Sequence, residues 1–176
     1  MQKSFTLIEV MLAISVLTIA VGGSFALIQQ TLISSSLNQL KLRAYYLGQE
    51  GIEIVKNLRD NNWLNPAATW DKGLADGLSV GESRDYIVDF QDVVLEVAPG
   101  NLSDQPLNLI SSGFYGYAPG EATPFKRKIT ITKENMPDTL EADDYSLKVQ
   151  VQVKWSERGR AHNIEIIDYL YNWYGY

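Results

Sequence analysis

Val10 to Ile28 is a run of nineteen residues without a charge, inside a first sixty residues that contain no proline. At 1.5 Å per residue such a run crosses a hydrocarbon core of ~30 Å as a single helix. Ten of the nineteen are Leu, Ile, Val or Phe, contributing roughly -3 to -6 kcal/mol to insertion. Glu9 stands at the leading edge, where a charge costs at most about 3 kcal/mol. Insertion is therefore favoured, and Lys3 before the span favours a cytoplasmic N-terminus. All six prolines follow residue 65, and the charge divides likewise, +1 over residues 1–60 and -7 over the rest. A mean hydropathy of -0.13 is thus the average of an apolar helix and a polar, Gly/Pro-punctuated, strand-rich remainder.

Beyond the span the helical spacing continues. Ile33, Leu37, Leu40, Ala44, Leu47, Gly51, Ile54 and Leu58 step by four and three, the spacing of one apolar stripe. The helix is predicted to end near Asn61 and Asn62, with Pro66 beyond, giving about 84 Å from Phe5 to Asp60 if unbroken. Gly22 and Gly23 are the expected place for local melting, since glycine costs about 1 kcal/mol relative to alanine in a helix interior. A secretory signal is the competing reading, with Ser24-Phe25-Ala26 as its small-x-small cleavage pattern. The single base before the apolar core, the acid Glu9, and the helical register continuing past Ala26 weigh against it.

The chain opens Ser4-Phe5-Thr6-Leu7-Ile8-Glu9-Val10, which resembles the class III signal of type IV pilins and type II secretion pseudopilins. The resemblance implies a leader of residues 1–4, cleavage by a prepilin peptidase between Ser4 and Phe5, and N-methylation of Phe5. It makes Glu9 the family's glutamate five residues into the mature chain, a residue of assembly and register. The family usually carries Gly before the cut, where this chain has Ser4. Glu9 also has a physical role open to it, because an ionisable group in an apolar helix needs a partner. The α-amino group of Phe5 on an adjacent subunit would supply ~4 kcal/mol at ~4 Å and an effective dielectric of 20. The implied partners are other pilin subunits through their N-terminal helices, prepilin peptidase, an inner-membrane assembly platform, and the lipid bilayer before assembly. The implied location is the cytoplasmic membrane for the precursor, then an extracellular filament or periplasmic pseudopilus. Ala44 to Glu53 resembles the post-membrane helix of minor pilins and pseudopilins. Thr123 to Ile131 resembles their F-x-R-x-I-x-I strand.

These readings divide the chain into a leader (1–4), a transmembrane half-helix (5–29), an amphipathic half-helix or spine (30–62), a variable region (63–124) and an antiparallel sheet (125–176). The expected fold is α+β and pilin-like, with the long helix packed against an antiparallel sheet. Leu147, Val149, Val151, Val153 and Trp155 alternate with polar residues and predict a strand. A turn at Ser156–Arg160 would return it through Ile164 to Tyr171, with a β-bulge near Ile166 where the apolar parity changes. Ile129 and Ile131 offer a third strand; Tyr86, Val88, Phe90 and Val93, Leu95, Val97 offer two more.

Composition narrows the chemistry. With no cysteine and the single histidine His162, disulfide frameworks, thiolate metal sites and a thiol nucleophile are excluded, and a histidine metal cluster has no basis. His162 is expected to face solvent beside the hairpin turn. Asp138, Glu141, Asp143 and Asp144 form an acidic cluster, and some pseudopilins bind calcium, but the run lacks the D-x-D-x-D-G loop pattern and reads as solvated. Lys126, Arg127, Lys128, Arg158 and Arg160 could contact DNA, which the net charge of -7 over the residues after 60 opposes. The terminal aromatics Tyr169, Tyr171, Trp173, Tyr174 and Tyr176 suit either a partner surface or the core. The expectation is a structural subunit without cofactor or catalysis, a minor pilin or pseudopilin rather than a major pilin because no disulfide closes the head. The alternatives are a membrane-anchored binding or adhesion module that does not polymerise and a secreted soluble domain.

Overall fold

A computed structural model describes residues 6–98, 105–136 and 144–173 of the 176. One helix, α1 (Leu7–Trp63, 57 residues), precedes seven strands. The chain divides into two units, Met1–Leu40 and Lys41–Tyr176. The first holds the helical residues up to Leu40. The second holds the remaining turns of α1 and the whole sheet.

In the second unit the strands are β1 (Ser83–Ile87), β2 (Glu96–Val97), β3 (Pro106–Leu109), β4 (Tyr115–Gly116), β5 (Glu121–Asn135), β6 (Tyr145–Glu157) and β7 (Arg160–Leu170). They form one antiparallel sheet centred on β5 and β6. One edge of β5 pairs with β6 from Lys126↔Lys154 to Asn135↔Tyr145. Its other edge is shared by β3 near Lys126 and by β1 near Ile129 to Thr132. β7 lies beyond β6. The alternation read from the sequence is the alternation of burial: Ile129, Ile131, Leu147, Val149, Val151 and Val153 are fully buried, and Trp155 nearly so. Each such side chain contributes about 1.5–3 kcal/mol relative to an exposed one. The architecture is the α+β, pilin-like arrangement of a long apolar-led helix and an antiparallel sheet.

The β6–β7 hairpin turns on two residues, Arg158 (φ 50°) and Gly159 (φ 77°). Both have positive φ, the backbone whose twist matches that of the flanking strands. The expected bulge at Ile166 is absent: the register runs unbroken from Glu157↔Arg160 to Leu147↔Leu170. The parity change has a chemical cause instead. Ile164, Ile166, Asp168 and Leu170 keep to the inner face, and Ile167 and Tyr169 point outward, 46% and 42% exposed. Asp168 holds an inward position because Lys56 of α1 meets its carboxylate at 2.7 Å.

The helix stripe also needs correction in its last turns. From Ala44 onward the buried residues are Ala44, Leu47, Gly48, Gly51, Ile52 and Val55, while Ile54 and Leu58 are half-buried. Two glycines belong to that face, where a Cβ would press on Ile166 and Val151 of the sheet. Of the candidate strands in the variable region, β1 ends at Ile87 and β2 is only two residues long. The short β3 and β4 fall where no alternation marks them.

Candidate functional site

The first unit carries the candidate assembly surface. Thr6 precedes the helix, and its carbonyl accepts the N–H groups of Glu9 (3.1 Å) and Val10 (3.3 Å). Glu9 thus lies in the first turn, where a negative charge suits the positive end of the helix dipole. Among the described residues its carboxylate has no ion-pair partner. The helix contains an 18-residue window of mean hydropathy 2.2, none of it buried within the chain. Leu7, Ile8, Leu12, Ile19 and Leu27 are all largely exposed. An apolar surface this extensive belongs in lipid or against other helices.

Polar groups within that surface are satisfied internally. The hydroxyls of Ser15, Thr18, Ser24 and Thr31 donate to carbonyls one turn back, Met11, Ile14, Ala20 and Leu27, at 2.7–2.9 Å. Four residues that look polar in the sequence therefore present no unmet donor to an apolar medium. The helix is continuous through Gly22 and Gly23, and a side chain built at either meets nothing within 4 Å. Ser4 and Phe5 lie outside the described residues, as do Asp138, Glu141 and Asp143. Asp144 is exposed, and the described residues contain no group of three or more metal-ligating side chains.

In the second unit α1 is clamped to the sheet by side chains that the periodicity reading passed over. Arg127, 1% exposed, sits on the inner face of β5. It donates to Leu47 O (3.0 Å) and Glu50 Oε1 (2.9 Å) on the helix and to Val88 O (2.8 Å). It cannot serve a basic surface; its parity with Phe125, Ile129 and Ile131 already placed it inward. Gly51 makes room for it: a Cβ there would lie 3.0 Å from Val151 Cγ1 and 3.4 Å from Arg127 Cδ. At Gly48 a Cβ would lie 2.7 Å from Ile166 Cδ1. The hydrogen bond to Asp168 raises the Lys56 ammonium above its ordinary pKa, against the opposing effect of burial.

The rim of the head is fixed by polar pairs. Asp85 accepts from Thr130 Oγ1 at 2.6 Å and Lys128 Nζ at 2.9 Å. Burial alone would raise its pKa, but these two hydrogen bonds and the lysine charge together hold the carboxyl below its usual range. Burial raises the Tyr86 and Tyr117 phenols, which donate to Leu74 O and Arg127 O. His162 does not simply face solvent: it is half-buried and stacks on Trp155, with ring centroids 5.3 Å apart. Trp173 packs edge-on against Trp63 at 4.7 Å yet stays 69% exposed. Tyr174 and Tyr176 lie outside the described residues.

Residues 1–25 match the prokaryotic N-terminal methylation motif. No curated protein and no solved structure matches the chain. The motif covers residues 1–4, the Phe5–Val10 run and most of the apolar span, and it points to a structural subunit that begins as a membrane-anchored precursor. This chain carries the class III prepilin signal of type IV pilins and pseudopilins, at the head of a pilin-like α+β fold.

Proposed function

We propose that this protein is a minor pilin or pseudopilin: a subunit cut by prepilin peptidase between Ser4 and Phe5, methylated at Phe5, and built into a filament by helix packing. The observation that carries the reading is the methylation motif over residues 1–25, followed through a helix from Leu7 whose first half exposes an extensive apolar surface. Before assembly, lipid covers that surface. In the filament, neighbouring N-terminal helices cover it, and Glu9 is the one acid that must enter with them. Its carboxylate pairs with the α-amino group of a neighbour's Phe5, a contact of ~4 kcal/mol that offsets the ~3 kcal/mol cost of placing the acid in an apolar core. The pairing fixes the axial register between subunits. Gly22 and Gly23 are where the helix yields during assembly, since each costs about 1 kcal/mol against alanine. The minor or pseudopilin role is preferred because a chain without cysteine cannot close its head with a disulfide.

Mass spectrometry of the mature N-terminus tests this reading. It predicts a chain beginning at N-methylated Phe5 in cells that contain prepilin peptidase, and the uncut precursor in cells that lack it. An intact Met1 in both would favour a membrane-tethered binding module that does not polymerise. A start at Leu27 would favour a secreted domain.

A further inference from the structure

The apex of the β6–β7 hairpin carries a residue that its turn does not favour. Arg158 has φ 50°, in the left-handed region that glycine, asparagine and aspartate enter most readily. Arg158 and Arg160 are both exposed, and among the described residues neither has an ion-pair partner. Lys154 adds a third exposed cation to the same hairpin, against the acid Glu157. A costly backbone conformation given to an exposed arginine marks a functional position, because strain persists where function uses it.

A groove of the opposite sign lies between α1 and the loop after β1. It has a volume of about 370 Å³, and Glu50, Glu53 and Asp92 line it with Phe90 and Leu58. None of the described residues lining it is basic. Arg127 meets Glu50, but Lys56 lies 3.8 Å from Glu53 and gives its short contact, 2.7 Å, to Asp168. Asp92 has no ion-pair partner among the described residues and accepts only the N–H of Asp89. Carboxylates beside an aromatic ring are the surroundings that a guanidinium prefers, through charge-assisted hydrogen bonds and cation–π contact.

One head cannot bring the two together. Gly48 of α1 lies at the level of Ile164 and Ile166, and β7 runs along the helix so that Asp168 meets Lys56. Arg160 is four strand residues before Ile164, whereas the groove lies beyond Gly48 toward Asn61. Apex and groove are thus separated by roughly 20 Å, at 3.3 Å per strand residue and 1.5 Å per helix residue.

We propose that the groove receives the Arg158–Arg160 turn of a second copy of this chain. Charge complementarity selects that occupant. The contact joins two different surfaces at different heights, so it does not close on itself and propagates between subunits whose helices point the same way. It deepens the filament reading, on which it rests, by adding a contact between heads to the packing of helices. Being exposed, it weakens with salt.

The chain has no cysteine, so introduced cysteines report the contact directly. Full-length chain carrying Ala161→Cys beside the apex and Val93→Cys at the groove, both exposed positions, is expressed as the sole copy and treated in membranes with a short bis-maleimide. The contact predicts a ladder of dimers, trimers and higher multimers that fades as salt is raised. Adding Arg158→Glu and Arg160→Glu should reduce the ladder at least tenfold. Further adding Glu53→Lys and Asn57→Lys should restore it, which separates lost contact from misfolding. Arg158→Asn should raise the melting temperature of the head, because asparagine suits positive φ, and still weaken the ladder. A ladder indifferent to the arginine changes overturns the proposal, and so does a charge-swapped chain that melts normally and gives no ladder. Equal dimer from either single-cysteine chain overturns it as well. So does absence of a ladder, including products that hold one copy of this chain joined to a partner of another kind. The sheared surface fraction is assayed in parallel: protein present there without a ladder removes this contact and leaves the filament reading. A ladder with no protein in that fraction does the reverse, and absence of both overturns both.

Discussion

The two glycine pairs of α1 divide the labour of the helix. Gly22 and Gly23 have nothing near them, while Gly48 and Gly51 stand where a Cβ would press on Ile166 and Val151. The same residue type therefore does two different things within one helix. In the first unit glycine stands in a stretch where, among the described residues, nothing packs on it. In the second it thins the helix so that the sheet and Arg127 can approach. The first half of the helix keeps its apolar side chains outward, and the second half places its small residues at contacts with the sheet.

The largest effect expected inside the second unit comes from Arg127. Arg127→Ala leaves Val88 O and Glu50 without their buried donor, and should cost the head about 3–5 kcal/mol in thermal or denaturant unfolding. Loss of under 1 kcal/mol would show that the clamp does not hold helix to sheet. The glycine comparison is sharpened by making one change in both places. Gly51→Leu should destabilise the head by about 1–3 kcal/mol through overpacking against Val151, whose branched side chain has little freedom to yield. Gly22→Leu should leave head unfolding unchanged and slow amide exchange around residue 22, because it meets nothing and improves helix propensity by nearly 1 kcal/mol. Equal effects of the two substitutions would erase the distinction.

A smaller effect follows from Asp85, which lies wholly within the head. Its folded pKa is below the unfolded value, so its contribution to stability is present above the ordinary carboxylate range and is lost as pH falls through the lowered folded value. Asp85→Asn should therefore unfold more easily than the natural chain near pH 7, and the gap should narrow as the pH drops below about 4. A gap that widens on acidification would contradict the assignment.

Much of this was legible in the residues. A proline-free run with no charge from Val10 to Ile28 marked the helix, and α1 ends at Trp63, within two residues of the expected stop. Strict alternation from Leu147 to Trp155 marked β6, and the Gly159 turn marked its partner. What escaped depended on contacts between distant residues. Periodicity counts apolar side chains, so it placed Ile54 and Leu58 on a face that Gly48 and Gly51 draw toward Ile52 and Val55. It read the inward Asp168 as a bulge because Lys56, more than a hundred positions earlier, is invisible to a local pattern. β3 and β4 are too short to show a period and exist as strands because β5 offers an edge to pair with. In the candidate site the motif pointed to Phe5 and Glu9, and parity along β5 marked Arg127 as inward, whereas its partners Leu47, Glu50 and Val88 are too far off in sequence for a local pattern to show.

The account rests on the first half of α1 being an assembly surface and not merely an anchor, and Glu9→Ala tests this most directly. With no acid to bury and no partner for a neighbour's α-amino group, the variant should still insert in the membrane and still be cut before Phe5. Its amount in the sheared surface fraction should fall at least tenfold, in keeping with loss of a ~4 kcal/mol contact. Filament incorporation equal to that of the unchanged chain, at equal membrane levels, would contradict the account.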